Sequence, residues 1–152
     1  MNHVTQVLSA ADILFDLDVS TKKLVFEKVG RHFQSRYGVS HEQVIKSLLA
    51  REQLGSTGLG QGVALPHARI RRLPQAMAAF VQLKLPINFD APDAKPVSDM
   101  LVLLVPEHAT DQHLQILAEF AQMLGDRKFR EQIRACDSAD EIYRLISAWP
   151  QS

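Results

Sequence analysis

The chain has 152 residues, a size at which one domain buries roughly two thirds of the surface its unfolded form exposes, so folding requires no disulfide or metal staple. Seventeen basic and seventeen acidic residues cancel, which argues against the basic face of a nucleic-acid binder and the polybasic anchor of a membrane-surface protein. The lone Cys136 has neither a disulfide partner nor zinc-ligand spacing and reads as a small packing residue, and apolar runs such as Met100 to Val105 fall far short of a membrane span.

From the N-terminus, MNHVTQVLSAADILFDLD lacks a basic start followed by a long apolar run, so a cytoplasmic protein without membrane insertion is expected. Ser20 can cap a first helix in which Val25, Val29, Phe33 and Tyr37 recur at helical spacing, with Gly38 as its left-handed stop. Ser40 with Gln43 reads as a capping box for a second helix. Its Val44, Ile45, Leu48 and Leu49 face inward, and it ends between Arg51 and Leu54. Ala76 to Leu85 and Met100 to Val105 are apolar nearly throughout, as expected of strands covered on both faces, and the three-proline segment PINFDAPDAKPV between them is a loop.

A third helix starts at Thr110 or Asp111 and carries Leu114, Leu117, Ala121 and Leu124; a fourth starts near Lys128 with Phe129 and Ile133. Ser138 with Glu141 opens the last helix, Ile142 to Trp149. With no repeat, low-complexity tract or linker, residues 1–152 form one α/β domain, a mixed central sheet sandwiched between helix layers.

The segment GSTGLGQGVALPH, Gly55 to His67, concentrates four of the seven glycines in eight residues. Glycines let backbone N–H groups approach a ligand and adopt positive φ, so such a run can cradle an anion; a tight turn into a strand is the competing structural reading. Nucleotide motifs do not fit. Gln61 stands where a P-loop has lysine, and Gly58-Leu59-Gly60 lacks a third glycine. His67 points to phosphoryl chemistry, because an imidazole near neutral pH is nucleophilic and then a workable leaving group. Pro66 fixes its own φ and biases Leu65 to extended backbone, which aims His67, while Ser56 and Thr57 add hydroxyl donors.

These residues carry a resemblance. REQLGSTGLGQGVALPHARI resembles the phosphorylation-site motif of the fructose- and mannitol-type enzyme IIA domains of the bacterial phosphotransferase system. LPINFDAPDAKPV, LVLLVPE, HLQILAEFAQML and EIYRLI follow in that family's order, and FDAPD is most like the free-standing nitrogen-regulatory enzyme IIA. Ala94 departs from the pattern, which has glycine there.

The resemblance implies that His67 accepts a phosphoryl group from a histidine phosphocarrier protein, with Arg51 and His113 beside it. The loop residues Ser56, Thr57, Gly58, Gly60 and Gly62 would receive the phosphoryl oxygens. Arg51 would neutralise those oxygens, and His113, in a helix's first turn, would donate to them. No cofactor or metal is implied. Further partners would be regulatory targets such as transporters or kinases, or, in a sugar-uptake system, a separate IIB permease subunit that takes the phosphate onward.

His108, Asp111 and His113 lack the i, i+4 spacing of a zinc pair, and no G-x-S-x-G elbow supports a hydrolase built on Ser56 or Thr57 with His67.

Overall fold

The computed structural model describes residues 2–108 and 110–149. After short 3-10 turns at Val4–Gln6 and Ala10–Asp12, the chain forms β1 (Ile13–Leu17), α1 (Lys22–Tyr37) and α2 (His41–Gln53). The short strands β2 (Gly58–Gly60), β3 (Val63–Ala64) and β4 (His67–Ile70) follow, then the long β5 (Met77–Ile87) and β6 (Val97–Pro106). The helices α3 (Asp111–Gly125), α4 (Arg127–Arg134) and α5 (Ala139–Ser147) close the described residues.

The sheet order is β1-β5-β6-β3-β2, with β4 also on β6. β5 and β6 are antiparallel, and β1 runs parallel to β5. Both β3 and β4 run parallel to β6 in a single register, with Val63 opposite Asp99 and His67 opposite Leu103. They are two parts of one line, interrupted at Leu65-Pro66, where proline has no N–H to give the ladder.

Alternate residues of the central strands feed two cores. Ala79, Val81, Met100, Val102 and Leu104 pack with Val25, Phe26, Val29 and Phe33 of α1 and Val44 and Leu48 of α2. Ala78, Phe80, Leu101, Leu103 and Val105 pack with Ile116 and Phe120 of α3, Phe129 and Ile133 of α4, and Ile142 and Ile146 of α5. Helix layers on both faces explain why β5 and β6 are apolar almost throughout rather than alternating.

Several local expectations change. Thr21, not Ser20, caps α1 by accepting from the Leu24 N–H at 3.1 Å, because the first helical residue is Lys22, whose ammonium is held by Glu52. Ser40 does cap α2, but the Gln43 side chain reaches the Arg71 carbonyl, so the box is only half made. In that helix Val44 and Leu48 are buried, while Ile45 and Leu49 are half-buried. In α3 the buried residues are Ile116, Phe120, Met123 and Leu124, whereas Leu114 is 61% exposed and Ala121 lies in solvent. The face carrying Phe120 removes more apolar area from water than the Leu114 face would, and that decides the helix rotation. The last helix begins at Ala139, with Ser138 accepting from the Glu141 N–H, and ends at Ser147 before Trp149. Strands β1 to β4 were not named from the sequence; each is short and gains its stability from neighbours.

Asp12 sits fully buried between α1 and the N-terminal turns, bonded to His32 at 2.8 Å, Tyr37 at 2.9 Å and Arg36 at 3.2 Å. Burial pushes its pKa up, but hydrogen bonds from His32, Ser9 and Arg36 outweigh that and hold the carboxyl well below the usual carboxylate range. A carboxylate lowered on folding contributes stability above its unfolded pKa, about 3.9, and loses it as pH falls towards the folded value. We therefore expect Asp12→Asn to be about 2–3 kcal/mol less stable at neutral pH, since His32 and Arg36 are partly hydrated and recover some solvation. Its unfolding midpoint should also fall less between about pH 5 and 2 than that of the wild type, as read from urea titrations across that range.

Ala94 supplies a second expectation. Its N–H closes a turn on the Ala91 carbonyl at 3.0 Å and its φ is +59°, so an alanine occupies a left-handed position where the resembling family has glycine. Left-handed backbone costs a non-glycine residue about 1–2 kcal/mol, and glycine's extra unfolded-state freedom offsets about 0.4–1 of that. Ala94→Gly should stabilise by about 0.5–1 kcal/mol, raising Tm by about 1–4 °C in thermal denaturation.

Candidate functional site

Three of the four clustered glycines, Gly55, Gly60 and Gly62, have positive φ, and the fourth, Gly58, meets a close neighbour. Gln61 and Gly62 form the two-residue connection between β2 and β3 with φ of 58° and 81°, the positive pair of a type I′ hairpin. At Gly58, a Cβ would come within 2.9 Å of the Ala91 Cβ, so only glycine lets β2 lie against the β5–β6 loop. Asp93 of that loop accepts from the Gln61 N–H at 2.9 Å, and the Gln61 and Lys95 N–H groups hold its carboxyl below the ordinary range.

His67 is the first residue of β4 and is half-buried. Its cross-strand partner, Leu103, belongs to the core beneath α3, so the imidazole stands on the face of the sheet that α3 covers. Its Nδ1 lies 2.8 Å from the Leu65 carbonyl oxygen. A carbonyl only accepts, so Nδ1 carries hydrogen, and in the neutral ring the lone pair is left on Nε2. Pro66 makes this geometry reproducible by separating β3 from β4 while its own carbonyl accepts from the Leu103 N–H at 2.9 Å.

The hydroxyls of the glycine segment are engaged within the protein. Ser56 donates to the Phe89 carbonyl at 2.8 Å and accepts from the Gly58 N–H at 3.0 Å. Thr57 gives both its N–H and its hydroxyl to the carboxylate of Glu52. Glu52 was not singled out from the sequence, yet a signal exists: a carboxylate in the last turn of a helix opposes the macrodipole and calls for a specific partner. Its partners are Thr57 and Lys22, the latter at 2.9 Å.

His113 is the third residue of α3, on the same side of the sheet as His67. Its Nδ1 accepts from the Thr110 N–H at 3.1 Å, the position a glutamate usually takes in a capping box. An imidazole nitrogen that accepts has no hydrogen, so the neutral ring carries its hydrogen on Nε2 and presents a donor. Arg51 belongs to α2, on the opposite helix layer, and its Nη1 donates to the Gly55 carbonyl at 2.9 Å. The described hydrogen bonds thus tie Arg51 to the start of the glycine segment and do not join it to His67.

The open cleft of about 400 Å³ that includes His108, Thr110 and His113 lacks His67, as does one of about 480 Å³ lined by Tyr37, Ser40, Arg71 and Arg72. Among the described residues no helix is long and apolar enough to cross a membrane, and no three His, Cys, Asp or Glu side chains converge as a metal cluster.

His67 thus stands half-buried at the start of β4, beside a glycine hairpin, on a mixed sheet sandwiched by helices. Residues 6–149 match the model of the family described as "Phosphoenolpyruvate-dependent sugar phosphotransferase system, EIIA 2", and the chain belongs to that family. Within it, the chain is similar to the nitrogen regulatory protein of Pseudomonas aeruginosa, 35% identical over 147 residues that cover 96% of each chain. It is also similar to the crystal structure of nitrogen regulatory protein IIA-Ntr from Neisseria meningitidis, with a TM-score of 0.88 and 42% identity over 93% of this chain and 97% of that one. The mannitol IIA of Escherichia coli shares the fold, with a TM-score of 0.77 at 22% identity over 91% of this chain and 98% of that one.

The geometry predicts opposite tautomers for the two histidines. In long-range 15N–1H spectra at alkaline pH, His67 should show a protonated Nδ1 and His113 a protonated Nε2. The same tautomer at both sites would contradict the hydrogen-bond assignment.

Proposed function

We propose that this protein is a phosphohistidine carrier: His67 takes a phosphoryl group from a histidine phosphocarrier protein, and the charge so gained regulates which proteins the chain binds. The observation that carries the reading is the Nδ1–H bond to Leu65, which leaves Nε2 as the nucleophile. As Nε2 bonds to phosphorus, the donor's N–P bond breaks and its imidazole leaves with the electron pair. His67 keeps its Nδ1 hydrogen, so no proton has to move.

Phosphoryl transfer of this kind runs through a loose, in-line transition state in which positioning and charge stabilisation supply most of the catalysis. In this reading His113 donates its Nε2–H to a phosphoryl oxygen, and Arg51 turns from the Gly55 carbonyl to neutralise another. Ser56, Thr57, Gly58, Gly60 and Gly62 form the wall that receives the group, held in shape by their internal hydrogen bonds. Similarity to nitrogen regulatory proteins favours the regulatory role, in nitrogen or wider metabolism and in the cytoplasm, with transporters or kinases as the kind of target. Transfer onward to a IIB permease subunit of sugar uptake is the competing outcome.

The electrostatics give the switch its size. Phosphorylation adds about 1.5–2 negative charges at His67, two residues along the same strand face from Arg69, in a chain whose formal net charge is zero. A partner that docks through carboxylates loses affinity and one that presents arginines gains it, with a coupling of about 1–3 kcal/mol.

Incubation with phosphoenolpyruvate and the general phosphotransferase components should place acid-labile, base-stable label on the wild type and none on His67→Ala, which should remain folded. Arg51→Ala and His113→Ala should still accept label, but about 10- to 150-fold more slowly in single-turnover transfer, the equivalent of one charge-assisted hydrogen bond of about 1.5–3 kcal/mol. Pull-downs with phosphorylated and unphosphorylated wild type then separate the two roles. Proteins retained by one form alone support regulation; rapid passage of label to a sugar-permease subunit, with no such protein, supports transport.

A further inference from the structure

We infer that Glu52, clamped by Lys22, is a positioning residue that sets the tautomer and aim of His67 through Thr57 and Leu65; the inference rests on the proposed role of His67 as phosphoryl acceptor. Glu52 lies in the last turn of α2, yet its side chain is only 5% exposed. Burying a carboxylate is costly unless its oxygens are satisfied, and here they are. Lys22 donates to Oε1 at 2.9 Å, the Thr57 N–H lies 3.2 Å from Oε1, and the Thr57 hydroxyl donates to Oε2. Lys22 is itself held, its ammonium 4.3 Å from the centre of the Phe89 ring.

From this anchor a directed series of bonds runs to the reacting ring. Thr57, fixed by Glu52, accepts the Leu65 N–H on its carbonyl at 3.0 Å. Leu65, fixed by Thr57, accepts the His67 Nδ1–H on its own carbonyl at 2.8 Å. Both oxygens of Glu52 are occupied by Thr57 and Lys22, so its influence on the imidazole passes through the backbone and not by contact. A second tie, from Ser56 to the Phe89 carbonyl, binds the same segment to the loop beneath Lys22.

The chain predicts an effect that a purely structural carboxylate would not have. Without Glu52 the Thr57 peptide loses its anchor, the Leu65 carbonyl is free to turn, and the neutral His67 ring samples both tautomers. Only the form with its lone pair on Nε2 can then attack as described. Transfer slows while the final amount of phosphoprotein stays the same.

Three variants of the full chain, Glu52→Ala, Glu52→Gln and Thr57→Val, test this with two readouts. One is the 15N tautomer pattern of His67 at alkaline pH, which needs no phosphorylation, with the His113 signals as an internal control on folding. The other is the single-turnover rate of labelling from the phosphocarrier. We expect Glu52→Ala to mix the His67 tautomers, leave His113 unchanged and slow labelling at least tenfold at unchanged final stoichiometry. Glu52→Gln, which keeps an acceptor for the Thr57 N–H, should restore much of both. Thr57→Val, which keeps the N–H bond but loses the hydroxyl, should fall between.

A single Nδ1–H tautomer and a wild-type rate in Glu52→Ala would overturn the inference. So would His67 mixed to the same degree in wild type and variant. Should Glu52→Ala fail to fold, the pair Glu52→Gln and Thr57→Val still decides, since wild-type tautomer and rate in both would equally overturn it. If the wild type takes no label while Glu52→Ala still mixes the tautomers, the positioning role stands and the carrier reading falls.

Discussion

Strand β6 has no free edge, and the rest of the molecule depends on that. One side is paired antiparallel to β5 and the other carries β3 and β4 in parallel, so every alternate side chain from Met100 to Val105 is committed to one of the two cores. The constraint fixes the register of β4 and therefore the face on which His67 stands, because a slip of one residue would turn the imidazole to the α1–α2 side and Ala68 to the α3 side. Pro66 makes the single break in that line, while Leu65, whose N–H goes to the Thr57 carbonyl on the β2 side, turns its own carbonyl to the imidazole because the Thr57 N–H is taken by Glu52.

His67 and His113 then present opposite nitrogens by the same device. Each ring has its Nδ1 tied to backbone, in one case to an acceptor and in the other to a donor, so in the neutral rings Nε2 keeps a lone pair at the strand and carries the hydrogen at the helix. The difference arises from what each local structure has spare. Beyond the end of its ladder with β2 a strand leaves a carbonyl unpaired, whereas the first turn of a helix leaves N–H groups unpaired.

The buried carboxylates show how a neutral chain holds these parts in place. Asp12 ties α1 to the N-terminal turns, and Glu52 ties α1, α2 and the glycine segment together. Asp99 joins β6 to α4 through Arg134 at 3.4 Å and to β5 through Gln82. Burial pushes the Asp99 pKa up, and the Arg134 charge, with hydrogen bonds from Ser98 and Gln82, opposes that without cancelling it. Among the described residues no buried side-chain nitrogen or oxygen lacks a hydrogen-bond partner, so these groups fix geometry with their hydrogen-bonding atoms engaged.

Local chemistry legible in the sequence was realised where a residue acts on its immediate neighbours. Gly38 stops α1, Ser40 and Ser138 cap α2 and α5, Phe129 and Ile133 turn α4 inward, and the apolar runs become the doubly covered strands β5 and β6. The motif around His67 likewise marked the family, because glycine spacing and a proline beside histidine are written in consecutive residues. Tertiary structure decided what depends on partners distant in the chain. It chose the Phe120 face of α3 over the Leu114 face because the sheet below offered more apolar area there. It formed β1 to β4, too short to declare themselves without neighbours. It also drew Glu52 to Lys22, thirty residues away in sequence, and so assigned Thr57 to holding the loop. Which atom an imidazole or carboxylate faces is set by long-range packing, and only the folded chain could select the nitrogen of His67 that is left free.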